Sequence, residues 1–452
     1  MRLLKAIHER IGDFWWYSLM IFCAARAADV LNVFVGLWLV PKYVPPQELG
    51  AVQPLVSFAG FFAIPAGVFA STFRQEISDL AVRRDFGRMK SLMRGVFIAT
   101  AVFFLVSLVV AKLVMPAYLE RLRIAEGSLA LAILAASFSG PISAIYTNPL
   151  QALKKFRTSS LINIIGAPIR LATMLVAMPF RALVGYFVGQ TSTPAFATVA
   201  SVFALRKELS VPAEPYWGRD VFARFGRLIL IFGASAVAGG IATVVETTII
   251  RQRLPEIDSA AYYIVTRFSE ISGFLSNALS FTIFPFAAEL AASGKNTNSL
   301  VLKASAAIAA TNAALAAVLW LFSGRLLGLL PHGAEYAAFG WAIPCMIAVS
   351  TLCACTNLYC TSETAAGRFG FMAFTIPINI AYAALLLFVT GCGYFTPYLP
   401  KAAGDFLSEH NVTSLGTMIA WMTTVSALRL AFCAVHAALV RRRVSGGPCR
   451  KA

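Results

Sequence analysis

Charged residues are scarce in this chain. Only 13% of its 452 residues are charged and 58% are hydrophobic, which gives a mean hydropathy of +0.73. A soluble protein of this length needs a far more polar surface to enclose its core. The composition therefore excludes a water-soluble globular protein and predicts that lipid surrounds most of the chain.

Recognisable catalytic and metal-binding patterns are also missing. The four histidines are dispersed, and the sequence contains no HExxH, GxSxG or P-loop pattern. The cysteines lack the paired CxxC spacing of a zinc site. Segments between the apolar runs are too short for a nucleotide-binding domain. We therefore expect a protein that is not an enzyme, with no catalytic residues, no bound metal and no organic cofactor.

Long polar stretches are absent too, so apolar runs of membrane-crossing length, about 20 residues, follow one another along the chain. We place twelve spans, at approximately 14–40, 54–73, 96–116, 128–148, 159–180, 182–205, 226–250, 259–287, 303–330, 337–362, 371–392 and 416–440. The predicted fold class is an all-α membrane protein with about 12 transmembrane helices.

Lysine and arginine are distributed unevenly between the two sides of these spans. The segments on the side of the N-terminus hold 25 of the 38 basic residues and the opposite segments hold 9. By the positive-inside rule, both termini lie in the cytoplasm and the protein is a multi-pass protein of the cytoplasmic membrane. The same bias explains the net charge of +17 without nucleic acid as a partner. Membrane lipids are the expected partners of the basic tail, 441–452.

The chain divides into two similar halves at its longest central polar connection. We predict an N-terminal six-helix lobe (1–205), a cytoplasmic linker (206–227) and a C-terminal six-helix lobe (228–440). Pro65 and Pro285 occupy similar positions in the two halves, 220 residues apart. Parallel repeats with a binding site between the halves are a transporter architecture, so we expect two lobes around a central cavity.

Ionisable residues inside the spans are the strongest indication of function, because each is costly to place in a membrane. Arg26 and Asp29 in the first span, and Arg267 and Glu270 in the eighth, are each three residues apart and share a helical face. We predict that all four face a water-filled, substrate-binding cavity. The alternative is two local ion pairs that only lower the cost of burial.

Arginine favours an anionic ligand, because its planar guanidinium donates two hydrogen bonds to a phosphate or carboxylate. Arg170 and Arg429 also lie within spans and are predicted to add to the substrate site. Alternatively, their side chains extend to the membrane interface.

Glu246 in the seventh span has no basic residue three or four positions away within that span. A lone intramembrane carboxylate is typical of a site for a coupling Na⁺ or proton. We predict this role for Glu246, with Asn379 of the eleventh span supplying a neutral oxygen. The alternative is a glutamate at the outer interface.

Three short segments resemble the polysaccharide transporter branch of the multidrug/oligosaccharidyl-lipid/polysaccharide exporter superfamily. They are Val40–Gly50 (VPKYVPPQELG), His332–Tyr336 (HGAEY) and Leu150–Arg157 followed by Leu161-Ile162-Asn163. The resemblance implies two six-helix lobes around a cationic cavity and a substrate such as an undecaprenyl-pyrophosphate-linked oligosaccharide. It also implies substrate-binding roles for Arg26 and Arg267. Lipid II itself is not expected, because that branch has two further C-terminal spans.

These observations predict a flippase that moves a lipid-linked glycan by alternating access, as a monomer. Three alternatives stay open. One is an ion-coupled drug or metabolite antiporter of the same superfamily, although a cationic drug favours a more acidic cleft. The second is a membrane-embedded glycan polymerase or ligase, which needs a larger outward loop than 393–415. The third is a non-transporting scaffold that docks partners through Arg441-Arg442-Arg443.

Overall fold

A computed structural model of the protein describes residues 28–124, 128–153, 155–293, 297–390 and 412–446. Within these ranges the chain is helical and contains no β-strand. Arg26, most of the predicted outward loop 393–415 and the end of the basic tail lie outside the described residues.

Thirteen helices of the described residues are numbered here in chain order. They are α1 (28–34), α2 (Pro46–Val82), α3 (Phe86–Arg121), α4 (Leu129–Ala152), α5 (Phe156–Ala177), α6 (Ala182–Ala204), α7 (Arg219–Arg253), α8 (Glu256–Glu270), α9 (Gly273–Ala292), α10 (Asn298–Leu321), α11 (Ala342–Ala365), α12 (Met372–Thr390) and α13 (Leu415–Gly446). Short helices at Val40–Tyr43, Arg206–Leu209, Ser323–Gly328 and Gly333–Tyr336 connect some of them.

The multi-pass membrane architecture is confirmed. Nine helices of the described chain are long and apolar enough to cross a bilayer, namely α2–α5, α7 and α10–α13. The predicted sixth span, α6, is not among them because Gln190, Thr191, Ser192 and Thr193 interrupt its apolar sequence. The hydroxyls of Thr191 and Ser192 bond back to carbonyls of their own helix, which satisfies these polar groups locally.

The predicted eighth span is wrong as a single helix. The structure ends α8 at Glu270 and begins α9 at Gly273. Across the break, Ile271 and Ser272 donate backbone hydrogen bonds to the carbonyls of Phe268 and Ser269, a tighter turn than an α-helix makes. Apolar length alone predicts one span here because hydropathy does not register a local change of hydrogen-bond pattern.

One compact unit, unit 1, contains the described residues within 28–35 and 54–240. In it, α6 packs against α4 and α5, and α3 packs against α4. Small residues allow the close approach of α5 and α6: the carbonyl of Gly166 accepts a hydrogen bond from Thr193 Oγ1 at 2.8 Å, and a Cβ at Gly189 would collide with Met174. Such contacts replace the hydrophobic effect as the packing force between helices in lipid.

The second compact unit, unit 2, contains the described residues within 36–53 and 241–446. Helix α11 is its centre and packs against α8, α9, α10 and α13, while α12 packs against α13. Within α11, Cys355 is buried and its thiol approaches the Ser305 carbonyl at 3.9 Å. The cysteines of this helix are free thiols that serve as small packing residues.

The first part of the predicted linker is fastened to unit 1. Lys90 Nζ donates to the carbonyls of Leu209 and Val211 at 2.7 and 3.0 Å. Tyr216 Oη donates to Glu76 at 2.6 Å, and Trp217 packs with the hydrophobic core at the ends of α2 and α3. The segment 206–218 is therefore a structural part of unit 1.

An ion pair also holds the segment 206–218. Lys155 Nζ lies 2.8 Å from Glu208 Oε1 and donates to the Ala204 carbonyl at 2.9 Å. Burial alone would raise the pKa of Glu208. The hydrogen bonds from Lys155 and from its own backbone N–H, together with the charges of Lys155 and Lys207, outweigh burial, and the pKa is lowered. The Glu208 carboxylate therefore stays charged at neutral pH. This contact also gives the Leu150–Arg157 motif a structural role.

We expect Lys90→Met to loosen the segment 206–218, because it removes two hydrogen bonds to main-chain carbonyls. The loss of about 1 kcal/mol predicts that a glutamate-specific protease cuts after Glu208 and Glu214 about five-fold faster. The control is Arg88→Met, which removes only a 3.5 Å surface pair with Asp85. Equal cleavage rates in the two variants would contradict the assigned role of Lys90.

Candidate functional site

Arg267 is largely enclosed by its neighbours in unit 2. Its side chain is 12% exposed, and Nη1 lies 2.6 Å from Oε1 of Glu270. Nη2 donates to Oε1 of Gln53. The guanidinium carbon lies 4.9 Å from the centroid of the Tyr263 ring. The predicted Arg267–Glu270 pair therefore forms, within a larger polar cluster that includes Gln53 and Tyr263.

The sequence of α8 explains why this cluster sits at a helix end. Pro255 precedes the helix and Glu256 and Asp258 occupy its first turn, where acidic residues complement the helix dipole. Arg267 lies in the last turn, where a positive charge is favoured. Because α8 stops at Glu270, the guanidinium and its carboxylate partner stand beside the break before α9.

Two glycines bring the neighbouring backbone against α8. Gly36 lies in a π-helical turn, Val35–Leu39, and a Cβ added there would be 2.7 Å from Arg267 Cδ. Gly50 on α2 faces Ser259, and its added Cβ would be 2.9 Å from the Ser259 carbonyl carbon. Both positions therefore need glycine for close approach. Gly50 ends the Val40–Gly50 motif and so gives that motif a packing role.

A second cluster in unit 2 surrounds Glu246 of α7. Tyr382 Oη of α12 donates to Glu246 Oε2 at 2.8 Å, and Tyr262 Oη of α8 donates to Oε1 at 3.4 Å. The charge of Arg429, on α13, acts on this carboxylate, and its guanidinium carbon lies 5.8 Å from the Tyr382 ring centroid. Glu246 thus has an arginine neighbour that comes from another helix.

Asn379 lies on the same face of α12 as Tyr382, one turn earlier. It is half-buried. The predicted coupling role of Glu246 and Asn379 stays a prediction.

A third cluster lies in unit 1. Arg170 of α5 is within electrostatic range of Tyr186 on α6 and of Asp29 on α1. The predicted partner of Asp29, Arg26, lies outside the described residues. The structure therefore associates Asp29 with an arginine that the sequence spacing does not connect to it.

Arg170 and Arg429 are both half-buried in the structure. The Nε atom of each is buried and has no hydrogen-bond partner within the described chain. Arg429 stands near the middle of its candidate span, Leu415–Val440. Their substrate-binding roles stay predictions.

Sequence reasoning missed Gln53, Tyr262 and Tyr263. Tyr263 precedes Arg267 by four positions, so the aromatic contact was available from helical spacing. Gln53 and Tyr262 reach their partners from other helices, and the sequence carries no local signal of those contacts.

The chain is similar in structure to several solved transporters. A multidrug resistance MATE family transporter of the MOP superfamily, in an inward-facing conformation, matches with a TM-score of 0.64 and 13% identity over 93% of this chain and 95% of that one. The lipid II flippase MurJ, in an inward closed conformation, matches with a TM-score of 0.64 and 13% identity over 93% and 87%. A MOP superfamily transporter from Pyrococcus furiosus, described as having a binding pocket of reverse polarity, matches with a TM-score of 0.61 and 13% identity over 97% and 98%.

These likenesses define the fold class. No protein-family model matches the sequence, and no curated protein matches it either. At 13% identity the matches establish the fold alone. The described residues share the helical, two-lobe fold of these solved transporters. The predicted fold class is confirmed.

We expect Gly50→Ala to destabilise unit 2, because its methyl group would overlap the Ser259 main chain. An overpacked contact of this kind costs about 1–3 kcal/mol. The control is Gly60→Ala on the same helix, whose added Cβ meets nothing within 4 Å and which should be neutral or slightly stabilising. Thermal unfolding of the purified protein in detergent micelles measures both, and a Gly50→Ala midpoint at or above that of Gly60→Ala would refute the close approach.

Proposed function

We propose that this protein is a flippase that moves a polyprenyl-pyrophosphate-linked oligosaccharide across the cytoplasmic membrane. The observation that carries the proposal is the Arg267 cluster. A guanidinium is held by Glu270, Gln53 and Tyr263 at the point where a helix is broken. The fold of the MOP transporters, which includes the lipid II flippase MurJ, supports a transport role.

The geometry suits a diphosphate group. Arginine keeps its charge at any physiological pH and offers parallel N–H donors to phosphate oxygens. Among the described contacts, Arg267 donates to one carboxylate oxygen and one amide oxygen, and the side chain of Glu270 is 40% exposed. A pyrophosphate can replace these acceptors, while Glu270 returns to solvent at modest cost because it is already partly hydrated.

In this proposal the protein's own residues do the work of transport without covalent chemistry. Arg267 binds the pyrophosphate, and Asp29 and Glu270 compensate the arginine charges when no substrate is bound. The prenyl tail stays in lipid, and alternating access of the two lobes presents the glycan to the outer side. The protein acts as a monomer with both termini in the cytoplasm. Substrate-binding roles for Arg26, Arg170 and Arg429 are part of the same proposal.

One observation favours the ion-coupled antiporter as the second candidate. Glu246 is a carboxylate within a candidate membrane span, Phe232–Arg253, and MATE transporters share the fold. An antiporter for cations would use the negative charge of Glu246 and would not need the Arg267 cluster. The two candidates therefore differ in which residue is indispensable.

Arg267→Gln should reduce flipping at least ten-fold, because it removes a charge-assisted bidentate contact, an interaction of about 1.5–3 kcal/mol. The measurement is the rate at which a fluorescent polyprenyl-pyrophosphate glycan in proteoliposomes becomes accessible to a membrane-impermeant quencher. Arg267→Lys keeps the charge but loses the planar guanidinium that makes two parallel hydrogen bonds. Its flipping rate should therefore lie between those of the wild type and Arg267→Gln. The exposed Arg325→Gln is the matched control, and unfolding midpoints verify that each variant is folded.

Unchanged flipping in Arg267→Gln would contradict the flippase proposal. Cation transport that depends on Glu246 and survives Arg267→Gln would favour the antiporter instead.

A further inference from the structure

Helices α11 and α13 of unit 2 run side by side in a register that brings two cysteines face to face. The thiol of Cys353 on α11 lies 3.4 Å from the hydroxyl of Ser426 on α13. Cys360 and Cys433 each lie seven positions further along, which is two helical turns, so they occupy the same seam between the parallel helices. Their thiols are within hydrogen-bonding reach of each other.

Another contact holds this part of the seam in place. Tyr359 Oη and His436 Nδ1 are 2.6 Å apart. Tyr359 directly precedes Cys360, and His436 lies one turn beyond Cys433. The His436 ring also lies edge-on to the ring of Phe374 on α12, with centroids 6.0 Å apart. Helices α11 and α13 therefore cannot slide past each other near the two thiols without breaking a buried hydrogen bond.

Packing accounts for other thiols of α11 but not for this pair. Cys355 faces the Ser305 carbonyl on α10, and Cys353 faces a hydroxyl. Cys360, by contrast, faces a second thiol. Two thiols are too few for a zinc site, which uses four ligands, and the described residues contain no group of three His, Cys, Asp or Glu side chains that could hold a metal ion. The chemistry that suits two facing thiols is oxidation to a disulfide.

The two thiols differ in how easily a reagent reaches them. Cys433 is 4% exposed, whereas Cys360 is half-buried. Cys360 lies five residues before the end of α11 at Ala365, about 8 Å along the helix axis. A small uncharged peroxide can therefore reach Cys360 from the membrane surface. An accessible cysteine beside a resolving cysteine is the usual arrangement of a redox-sensitive site.

From this arrangement we infer that Cys360 and Cys433 form a redox-active dithiol, which a peroxide oxidises to a disulfide between α11 and α13. The Cys360 thiolate attacks hydrogen peroxide, the O–O bond breaks, and a sulfenic acid forms while the departing hydroxide takes up the proton of Cys360 to give water. The Cys433 sulfur then attacks the Cys360 sulfur, the S–S bond forms, and the sulfenic oxygen leaves as a second water with the proton of Cys433. Two thiols and one peroxide thus give one disulfide and two waters. A dithiol reductant reverses the oxidation by thiol–disulfide exchange.

The disulfide would restrain whole helices. Arg429 lies one turn before Cys433 on α13, and Phe432 stacks on Phe374 of α12 with ring centroids 5.8 Å apart. Oxidation would therefore tie two helices of the Glu246 cluster, α12 and α13, to α11 at the centre of unit 2. No step of this chemistry depends on the substrate, so the inference is independent of the proposed function.

The test oxidises the full-length protein in nanodiscs with hydrogen peroxide and locates disulfides by mass spectrometry of non-reduced peptides. We expect a Cys360–Cys433 bond about ten-fold more abundant than a bond between any other two cysteines, because the packed helices hold these thiols at high effective concentration. Dithiothreitol should remove the bond. Since the bond closes the long loop 361–432, the unfolding midpoint of the oxidised protein should rise by several degrees.

Two variants exchange the chemistry of the two levels of the seam. Cys433→Ser reproduces at the lower level the thiol–hydroxyl pair of Cys353 and Ser426, and should lose both the bond and the rise in midpoint. Ser426→Cys places a thiol opposite Cys353 and should add a second peroxide-dependent bond there. If Cys433→Ser does not fold, Cys360→Ser takes its place. Arg267→Gln should form the native bond as the wild type does, which separates this test from that of the flippase.

Oxidised wild-type protein without a Cys360–Cys433 bond would overturn the inference, and so would an unchanged unfolding midpoint when the bond has formed. A bond at position 353 in Ser426→Cys, without the native bond, would show that the register is right and the native pair unreactive, and would also overturn it. The same holds if the dominant bond joins either residue to one of the cysteines outside the described residues, Cys23, Cys392 and Cys449.

Discussion

A fixed positive charge inside a membrane must be compensated wherever the side chain goes. Arginine cannot lose its proton under physiological conditions, so the surrounding structure has to supply acceptors and counter-charges. The described parts of this chain do so three times, with Glu270 beside Arg267, Glu246 near Arg429 and Asp29 near Arg170. Much of the remaining structure can be understood as the means of holding these groups in place.

The packing around Arg267 shows how this is done. Gly36 and Gly50 allow two segments of backbone to approach α8 closely, and the break after Glu270 places the ion pair at a helix end. None of these features is needed for a helix to cross a bilayer. A continuous α8–α9 helix with larger residues at 36 and 50 would satisfy the hydrophobic constraint equally well, so the departure from regularity points to the polar cluster as its cause.

The sequence predicts the membrane architecture well because hydropathy and helix length depend on local composition. It also predicts the Arg267–Glu270 pair, since residues three apart on a helix are neighbours. It does not predict the arginine near Glu246, because Arg429 is 183 positions away and reaches it only through the packing of different helices. The break at Ile271–Ser272 escapes hydropathy for a different reason: hydropathy does not register a local change of hydrogen-bond pattern.

The structure gives each of the three resemblance motifs a physical role that its sequence alone does not reveal. Gly50 of the first allows contact with Ser259, and Lys155 of the third binds Glu208. In the second, a Cβ at Gly333 would collide with the Leu327 carbonyl, and Tyr336 is fully buried beside it. All three motifs are therefore involved in packing and fastening helices. In the proposed function, substrate choice depends on the arginine clusters, whose residues lie outside the motifs.

The central claim is that the arginine at the α8 break binds a pyrophosphate carried by a lipid. Mass spectrometry of the lipids that co-purify with the protein from its native membrane tests this claim most directly. The account predicts a polyprenyl-pyrophosphate species bound to the wild type and depleted in Arg267→Gln but retained in Arg325→Gln. Exclusively neutral or cationic lipids on the wild type, or equal retention of the pyrophosphate lipid by Arg267→Gln, would contradict it.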